Sequence, residues 1–495
     1  VSFTRAAAVE VASREVSIDR DQIGTLHAMG YRALDKPEIA ELHLTEWNES
    51  GGVRLQPSKV SLDEPLEAEM TNEGDALFME YQVARAKMTP RDRWPYRVRC
   101  FAERWEAWKQ DTGYIDFQDM IEIPLHEIDV APGSPSVIFV DEAQDLSVLQ
   151  WALLRKWGAQ ADDLIVVGDG DQVLYGWRGA AVEPFMTPLP TENIRTLKQS
   201  YRVPRTVLDV SQRWVRQIKK RTDITYNPRD AEGEVVRASL SLRNVDRLAY
   251  DLEQHESVMV LASCAYLLKP LLHELRRAGI PYHNPYRRKR GDWNPLRWGS
   301  TKRRTAVDRL LAFLRPDTAV WGDQSRMWTY RDVRDFAAIL ASGRALKRGG
   351  KKWLNDLPEE EIDNEAALSV LLEHVFTEAA LDRAFELDMI WFLGAVLPSK
   401  RRLLEYPIAV AQRDKQALRD RPRIVTGTIH SVKGGEASTV YLFPDLSTAG
   451  MRSWVHGGDR RDGIIRQFYV GMTRARETLV LCAPSTRKAV NFALT

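Results

Sequence analysis

The sequence predicts an α/β protein with two parallel-sheet cores, the second interrupted by a mainly helical insertion. Three observations lead there. First, VIFVDEAQD (137–145) runs four apolar, mostly β-branched residues into two acids, and LIVVG (164–168) follows as a second apolar run. Short continuous runs of this kind read as buried strands of a parallel sheet. Second, an α/β pattern recurs downstream: VMVLAS (258–263), the helical LLKPLLHELRRAG (267–279), then IPYHN. Third, the strand signal stops from about 286 to 420. It returns in RIVTGTIHSV (423–432), STVYLF (438–443) and TLVLCA (478–483). A sheet interrupted by a helical block implies a nested insertion.

The 495 residues suffice for roughly three or four domains. Charged residues make up 28% and hydrophobic ones 44%, an ordinary soluble composition. The net charge of +1 means that any basic surface must be local. Cys100, Cys264 and Cys482 are far apart and odd in number, which suggests no disulfide framework or CxxC metal site and fits a reducing cytoplasm. No signal peptide is found, and no apolar run approaches the ~18 residues of a membrane span. The chain opens on Val1 and VSFT, which reads as a strand end, so the natural N-terminus is expected further upstream.

In chain order, residues 1–16 read as a strand end and an Ala-rich helix with Thr4 as N-cap. Residues 22–34 read as a short strand or turn and then a helix. From about 35 to 115 the pattern is helical and charged. Its clearest piece, WPYRVRCFAERWEAWKQ (94–110), either turns Arg and Trp toward nucleic acid or divides into an aromatic core face and a solvated basic face. LSVLQWALLRKWG (146–158) is an amphipathic helix with a Gly C-cap. TLKQSYRVPRTVLDVSQRWVRQI (196–218) is a strand end and a long helix. The later helical block opens with a basic loop, YRRKRGDWNPLRWGSTKRR (286–304).

The chemistry gathers where strands end. Ligands of open α/β sheets sit outside the carboxyl ends of the strands. Asp141 and Glu142 stand at such an end and suit a Mg²⁺-nucleotide site: one oxygen ligand for a hard cation, one base to position water. The plainer alternative is a solvated strand end. In GDGDQVLYGWRGA (168–180), Gln172 can hydrogen-bond a γ-phosphate or the attacking water, Tyr175 and Trp177 offer faces for unpaired bases, and Arg178 offers a phosphate contact. In QSYR (199–202), Tyr201 can stack on adenine while Arg202 reaches a phosphate. TGTIHSVKGGE (426–436) puts a His, a Lys, two Gly and an acid on the loop after a strand. YVGMTRARE (469–477) carries Arg474 and Arg476, one of which can act as an arginine finger.

Taken together and in order, these segments resemble the motif set of superfamily 1 DNA helicases of the UvrD/Rep type. SFTRAAAVEVASR resembles motif Ia, GTLH (24–27) motif Ib, VDEAQD motif II and GDGDQVLYGWRGA motif III. QSYR resembles motif IV, TGTIHSVKGGE motif V and YVGMTRARE motif VI, and LRRAGIPYHN (275–284) a segment common after motif IV. The resemblance implies two RecA-like parallel-sheet domains of the P-loop NTPase fold. Domain 1A would take 1–30 and 116–197, and domain 2A 198–285 and 421–495. The helical insertions would be 1B (31–115) and 2B (286–420). It implies that Asp141 binds Mg²⁺ and Glu142 is the base, and that Gln172 couples the γ-phosphate to the DNA site. Arg202 and Arg474 would contact the γ-phosphate, Tyr201 would stack on adenine, and Glu436 and Gly434 would lie against the nucleotide. Phe3, Thr4, His27, Tyr175, Trp177 and Arg178 would handle single-stranded DNA, with Thr428 and His430 near its backbone.

The implied activity is ATP-driven, 3′-to-5′ translocation on single-stranded DNA and duplex unwinding. ATP and Mg²⁺ would serve it, single strands and their junctions with duplex would be its partners, and a loading partner from repair or replication would assist. The chain would be a monomer or weak dimer in the cytoplasm, away from membranes. The loop 286–304 would meet duplex at the fork, its Arg287, Arg288, Lys289, Arg290, Arg297, Lys302, Arg303 and Arg304 opposed only by Asp292. A helicase-nuclease of the AddA/RecB type shares these motifs, but the chain ends soon after Leu481. A third reading is a catalytically dead DNA-binding remnant; Asp141, Glu142, Arg202 and Arg474 argue against it. The sequence also departs from the family. No GxxxxGK[ST] loop occurs in 1–495, so these residues alone are expected to be poorly soluble and not to hydrolyse ATP. Motif V reads KGGEAS where the family usually has KGLEF, which removes bulk at Gly435, Ala437 and Ser438. Block 2B is short.

Overall fold

A computed structural model describes residues 19–56, 72–180, 193–219, 221, 224–286, 293–296 and 304–492. The expected helix over 1–16, with Phe3 and Thr4, lies outside them, as do the basic residues 287–290 and 297–303 and the side chain of Trp177.

The sheets are parallel, as expected. In the smaller one, β1 (Val137–Val140) pairs in register with β2 (Asp163–Val166). Between them runs the helix Val148–Gly158, opened by a capping box in which Ser147 and Gln150 exchange hydrogen bonds. Gly158 is not the expected cap: Ala159 ends the helix in the right-handed region. A Cβ on Gly158 would stand 2.6 Å from Leu164 Cδ2 and 3.3 Å from Leu164 Cβ, so glycine eases the close approach of helix to β2, and a larger residue would make Leu164 shift. The strand is also less buried than expected. Ile138 and Val140 are buried, but Val137 and Phe139 are 37% and 57% exposed, and Ile165 and Val167 of the neighbouring run are 42% and 46% exposed. An apolar run cannot reveal whether both faces of a strand are covered.

The larger sheet has the order β5–β10–β9–β6–β8–β7, formed by Glu234–Arg237 (β5), Val258–Ala262 (β6), Tyr282–His283 (β7), Ile424–Thr428 (β8), Ala437–Leu442 (β9) and Ala475–Leu481 (β10). A separate parallel pair joins β3 (Gln199–Pro204) to β4 (Asn227–Arg229). Every residue of β6 is buried, which explains its unalternating VMVLA sequence. The helices Arg205–Val215 and Gly458–Met472 pack on this side of the molecule.

The helix Tyr96–Thr112 resolves the ambiguity at 94–110 in favour of packing. Trp94, Phe101 and Trp105 are buried with Trp47 and Tyr81, while Arg97 points outward to pair with Glu73. Residues 304–420 are helical, with no laddered strand among those described. Their apolar side chains, Phe313, Phe336 and Phe392 among them, belong to the same core as Val258, Val260 and Ile424 of the larger sheet. Arg304 does not lack a nearby acid: it pairs with Asp335 at 2.9 Å. Among the described residues no helix is long and apolar enough to cross a membrane, and Cys100, Cys264 and Cys482 form no disulfide with one another.

Candidate nucleotide and DNA site

The chain turns sharply where β1 ends. Glu142 adopts φ +54°, a left-handed conformation that costs a residue with a side chain on the order of 1–3 kcal/mol. The turn sends the two acids in different directions. Asp141 is exposed and accepts from the Glu142 N–H at 2.9 Å. Glu142 points inward, where Gln144 Nε2 donates to it at 2.5 Å and Lys433 Nζ lies 2.9 Å away. Burial, reinforced by the Glu142 charge, raises the Asp141 carboxyl. Burial would also raise Glu142, but the Lys433 ammonium and the Gln144 amide hold it below its ordinary value.

Lys433 comes from the loop after β8, on the larger-sheet side. It also pairs with Asp145, which is buried and accepts from the Leu174 N–H at 3.1 Å. Burial works against the Lys433 charge, yet Asp145 and Glu142 raise its pKa above the ordinary lysine value. Asp145 itself is pushed up by burial despite Lys433. We take the pair as ionised, because a charged lysine and a backbone donor both face the carboxylate.

Gln172 sits in the one-turn helix Gly170–Gln172. Its amide donates to Asp169 at 2.8 Å and accepts from Arg474 Nη2 at 3.3 Å. Arg474 is 2% exposed and also donates to the carbonyls of Val470 (2.9 Å) and Gly435 (3.3 Å). Burial and the neighbouring Arg202 push its pKa down to about 9, so it remains a cation at neutral pH. Arg202 donates to Glu436 at 2.6 Å, and Arg476 holds the other oxygen of that carboxylate at 2.9 Å. Tyr201, beside them, is 85% exposed. Among the described residues no three His, Cys, Asp or Glu side chains are grouped to hold a metal. Mg²⁺ bound with a nucleotide needs only one or two protein carboxylates, the phosphates and water completing its shell, and exposed Asp141 suits that arrangement.

The residues expected to touch DNA divide. His27 lies on the helix Leu26–Ala33, edge-on to the half-exposed ring of Phe117 at 6.4 Å; burial and nearby Arg178 push its pKa down to about 4, so it is neutral. Tyr175 corrects its expectation. It is 1% exposed, packed in the larger-sheet core and edge-on to His430 at 6.0 Å, so it presents no free face to a base. Thr428 and His430 are buried as well. Sequence reading missed Gln144 and Phe117, and gave Lys433 no role.

Residues 1–188 match the model of the UvrD/REP helicase N-terminal domain. Over these residues the chain is similar to UvrD/Rep helicases. It is 24% identical over 230 residues to the ATP-dependent DNA helicase Rep of Buchnera aphidicola subsp. Baizongia pistaciae, covering 42% of this chain and 32% of that protein. It is 28% identical over 158 residues to DNA helicase II of Escherichia coli K12, covering 29% and 22%. It is 31% identical over 117 residues to the ATP-dependent DNA helicase PcrA of Staphylococcus aureus Mu50, covering 22% and 16%. The matched stretch is thus at most about a third of the length of these relatives.

The departure from the UvrD/Rep form of motif V has a local explanation. A Cβ at Gly435 would meet the Tyr286 ring at 2.6 Å, so that ring occupies the volume a larger residue would need. Gly435→Leu is therefore expected to destabilise the fold by about 1–3 kcal/mol, as overpacking does. Adding Tyr286→Ala should recover much of the loss. Equal denaturation midpoints for Gly435→Leu and the unsubstituted chain would contradict this.

Proposed function

We propose that the chain is the motor of an ATP-dependent DNA helicase. The observation that supports this most is the meeting of its two halves. Glu142 and Gln172 from the smaller-sheet side engage Lys433 and Arg474 from the larger-sheet side. On this reading the two sides are RecA-like domains 1A and 2A, and the helical segments 31–115 and 286–420 are insertions 1B and 2B.

Asp141 would hold the Mg²⁺ that accompanies ATP, an ion that neutralises charge on the phosphates. Glu142 accepts the proton of the attacking water. Arg202, moving from Glu436 to the phosphate, and Arg474 neutralise charge that develops on the transferring group. Tyr201 stacks on adenine, and Glu436 and Gly434 border the nucleotide. His27, Trp177 and Arg178 grip a single strand, and exposed Phe117 beside His27 extends that surface. Closing and opening of the two sides then converts turnover into a step. Polarity of 3′-to-5′ and preference for single-strand–duplex junctions rest on likeness to the family.

The test is ATP hydrolysis by the full-length protein with and without single-stranded DNA, together with strand displacement from 3′- and 5′-tailed duplexes. DNA-stimulated hydrolysis and displacement from the 3′ tail are expected; hydrolysis indifferent to DNA would sink the reading. In the same assay Trp177→Ala should weaken single-strand binding by roughly 1–3 kcal/mol, the stacking contribution of about one base. A melting curve beside it separates lost stacking from lost folding.

A further inference from the structure

The turn 169–172 is held by the larger-sheet side at every residue. The Tyr226 hydroxyl bonds Asp169. Arg466 Nε donates to the Gly170 carbonyl at 3.1 Å. Arg474 reaches the Gln172 side chain, and Lys433 Nζ donates to the Gln172 backbone carbonyl at 3.4 Å. Asp171 receives the strongest grip. Arg221 donates to it from Nε at 3.2 and 3.0 Å and from Nη2 at 2.6 Å, and both side chains are only 6% exposed.

Arg221 lies in the stretch between the helix Arg205–Val215 and β4, outside every segment that carried the family resemblance. A buried ion pair is a weak source of net stability, since desolvation offsets most of the attraction. What a two-point guanidinium–carboxylate contact does supply is fixed orientation. Asp171 directly precedes Gln172, so fixing one carboxylate fixes the path of the next side chain.

We propose that Arg221, by gripping Asp171, is a positioning residue for Gln172: it ties the 169–172 turn of the smaller-sheet side to the larger-sheet side, so that the Gln172 amide is held where the two sides meet. The inference rests on the proposed function, in which Gln172 reads the nucleotide. Arg221 touches neither nucleotide nor DNA in this account. Its loss should impair the coupling between them and spare the binding of each.

The test uses the full-length protein and the variants Arg221→Ala, Asp171→Ala and their combination. For each, kcat and KM for ATP are measured with and without single-stranded DNA, beside a melting curve. We expect basal kcat and KM to stay near wild type and DNA-stimulated kcat to fall about tenfold, within the range for residues in direct contact. The double variant should lose no more than either single one, as partners acting as one unit do. If Arg221→Ala folds poorly, Arg221→Lys carries the test, since it keeps the charge and loses the two-point grip. Wild-type stimulation in a folded variant would overturn the proposal, as would basal and stimulated rates falling by one common factor. Absence of DNA stimulation in the wild-type protein would instead overturn the helicase reading, and this inference with it.

Discussion

Glu142→Gln is expected to abolish ATP turnover while nucleotide and DNA binding persist. The substitution keeps the size of the side chain and a hydrogen-bonding oxygen, but an amide cannot take the proton of the attacking water. Loss of a general base typically costs about 10²–10⁴-fold. The electrostatics favour this role. Burial opposes ionisation of Glu142, and Lys433 with Gln144 overcomes it, so the carboxylate is ready to accept a proton at neutral pH. The variant should fold normally, because Gln144 and Lys433 can both still bond an amide oxygen. Binding of a non-hydrolysable ATP analogue and steady-state hydrolysis, measured on the full-length protein, decide the matter. Hydrolysis near the wild-type rate would remove Glu142 from the role of base.

Lys433→Met should have the largest effect on stability. It leaves Asp145, wholly buried, and Glu142, largely so, without their shared cation. Removing one partner of a buried ion pair costs about 3–5 kcal/mol. The sign of the pH dependence follows from the shifts. In the native protein Lys433 titrates above its ordinary value, so its contribution is fully present below that value and is lost only in strong alkali. In the variant, burial is no longer offset, so Glu142 should rise above its unfolded value and Asp145, already raised, should rise further. A folded state that binds protons more readily than the unfolded one gains relative stability as pH falls. The deficit of Lys433→Met should therefore be largest at mildly alkaline pH and shrink in mild acid. Chemical denaturation at the two pH values measures it. A deficit that grows in acid, or none at alkaline pH, would show that Lys433 is not the counter-ion of these acids.

How much of this was legible in the sequence varies with the kind of information. Strands β1, β2, β6, β8, β9 and β10 announced themselves as apolar runs, because a strand in a parallel sheet leaves little room for polar residues. The lack of strand signal was legible for the same reason over 304–420, where the described residues form helices and no laddered strand. Pairings across the chain were not. Lys433 and Asp145 are 288 residues apart, and only folding brings them together. Tyr175 looked like a free stacking platform in a Gly-rich segment, yet it is a core residue. An aromatic beside glycines carries no mark of which way it faces. Gly158 shows the converse error: a glycine at a helix end suggested a cap, while the true constraint came from Leu164 on the adjoining strand. Gly435 is similar, since its reason, the Tyr286 ring, lies some 150 residues away in sequence.

The shared core beneath the larger sheet also bears on how such a protein can be rebuilt. Phe313 stacks on Phe392 at 4.3 Å within the same apolar mass that covers Val258, Val260 and Ile424. Cutting out residues 286–420 would strip the floor of the sheet and leave it wet. The segment is thus no cassette to be traded between relatives or trimmed away for crystallisation. Any shortened version must carry a replacement for the side chains that seal the sheet, and heat should melt sheet and helices together in one transition.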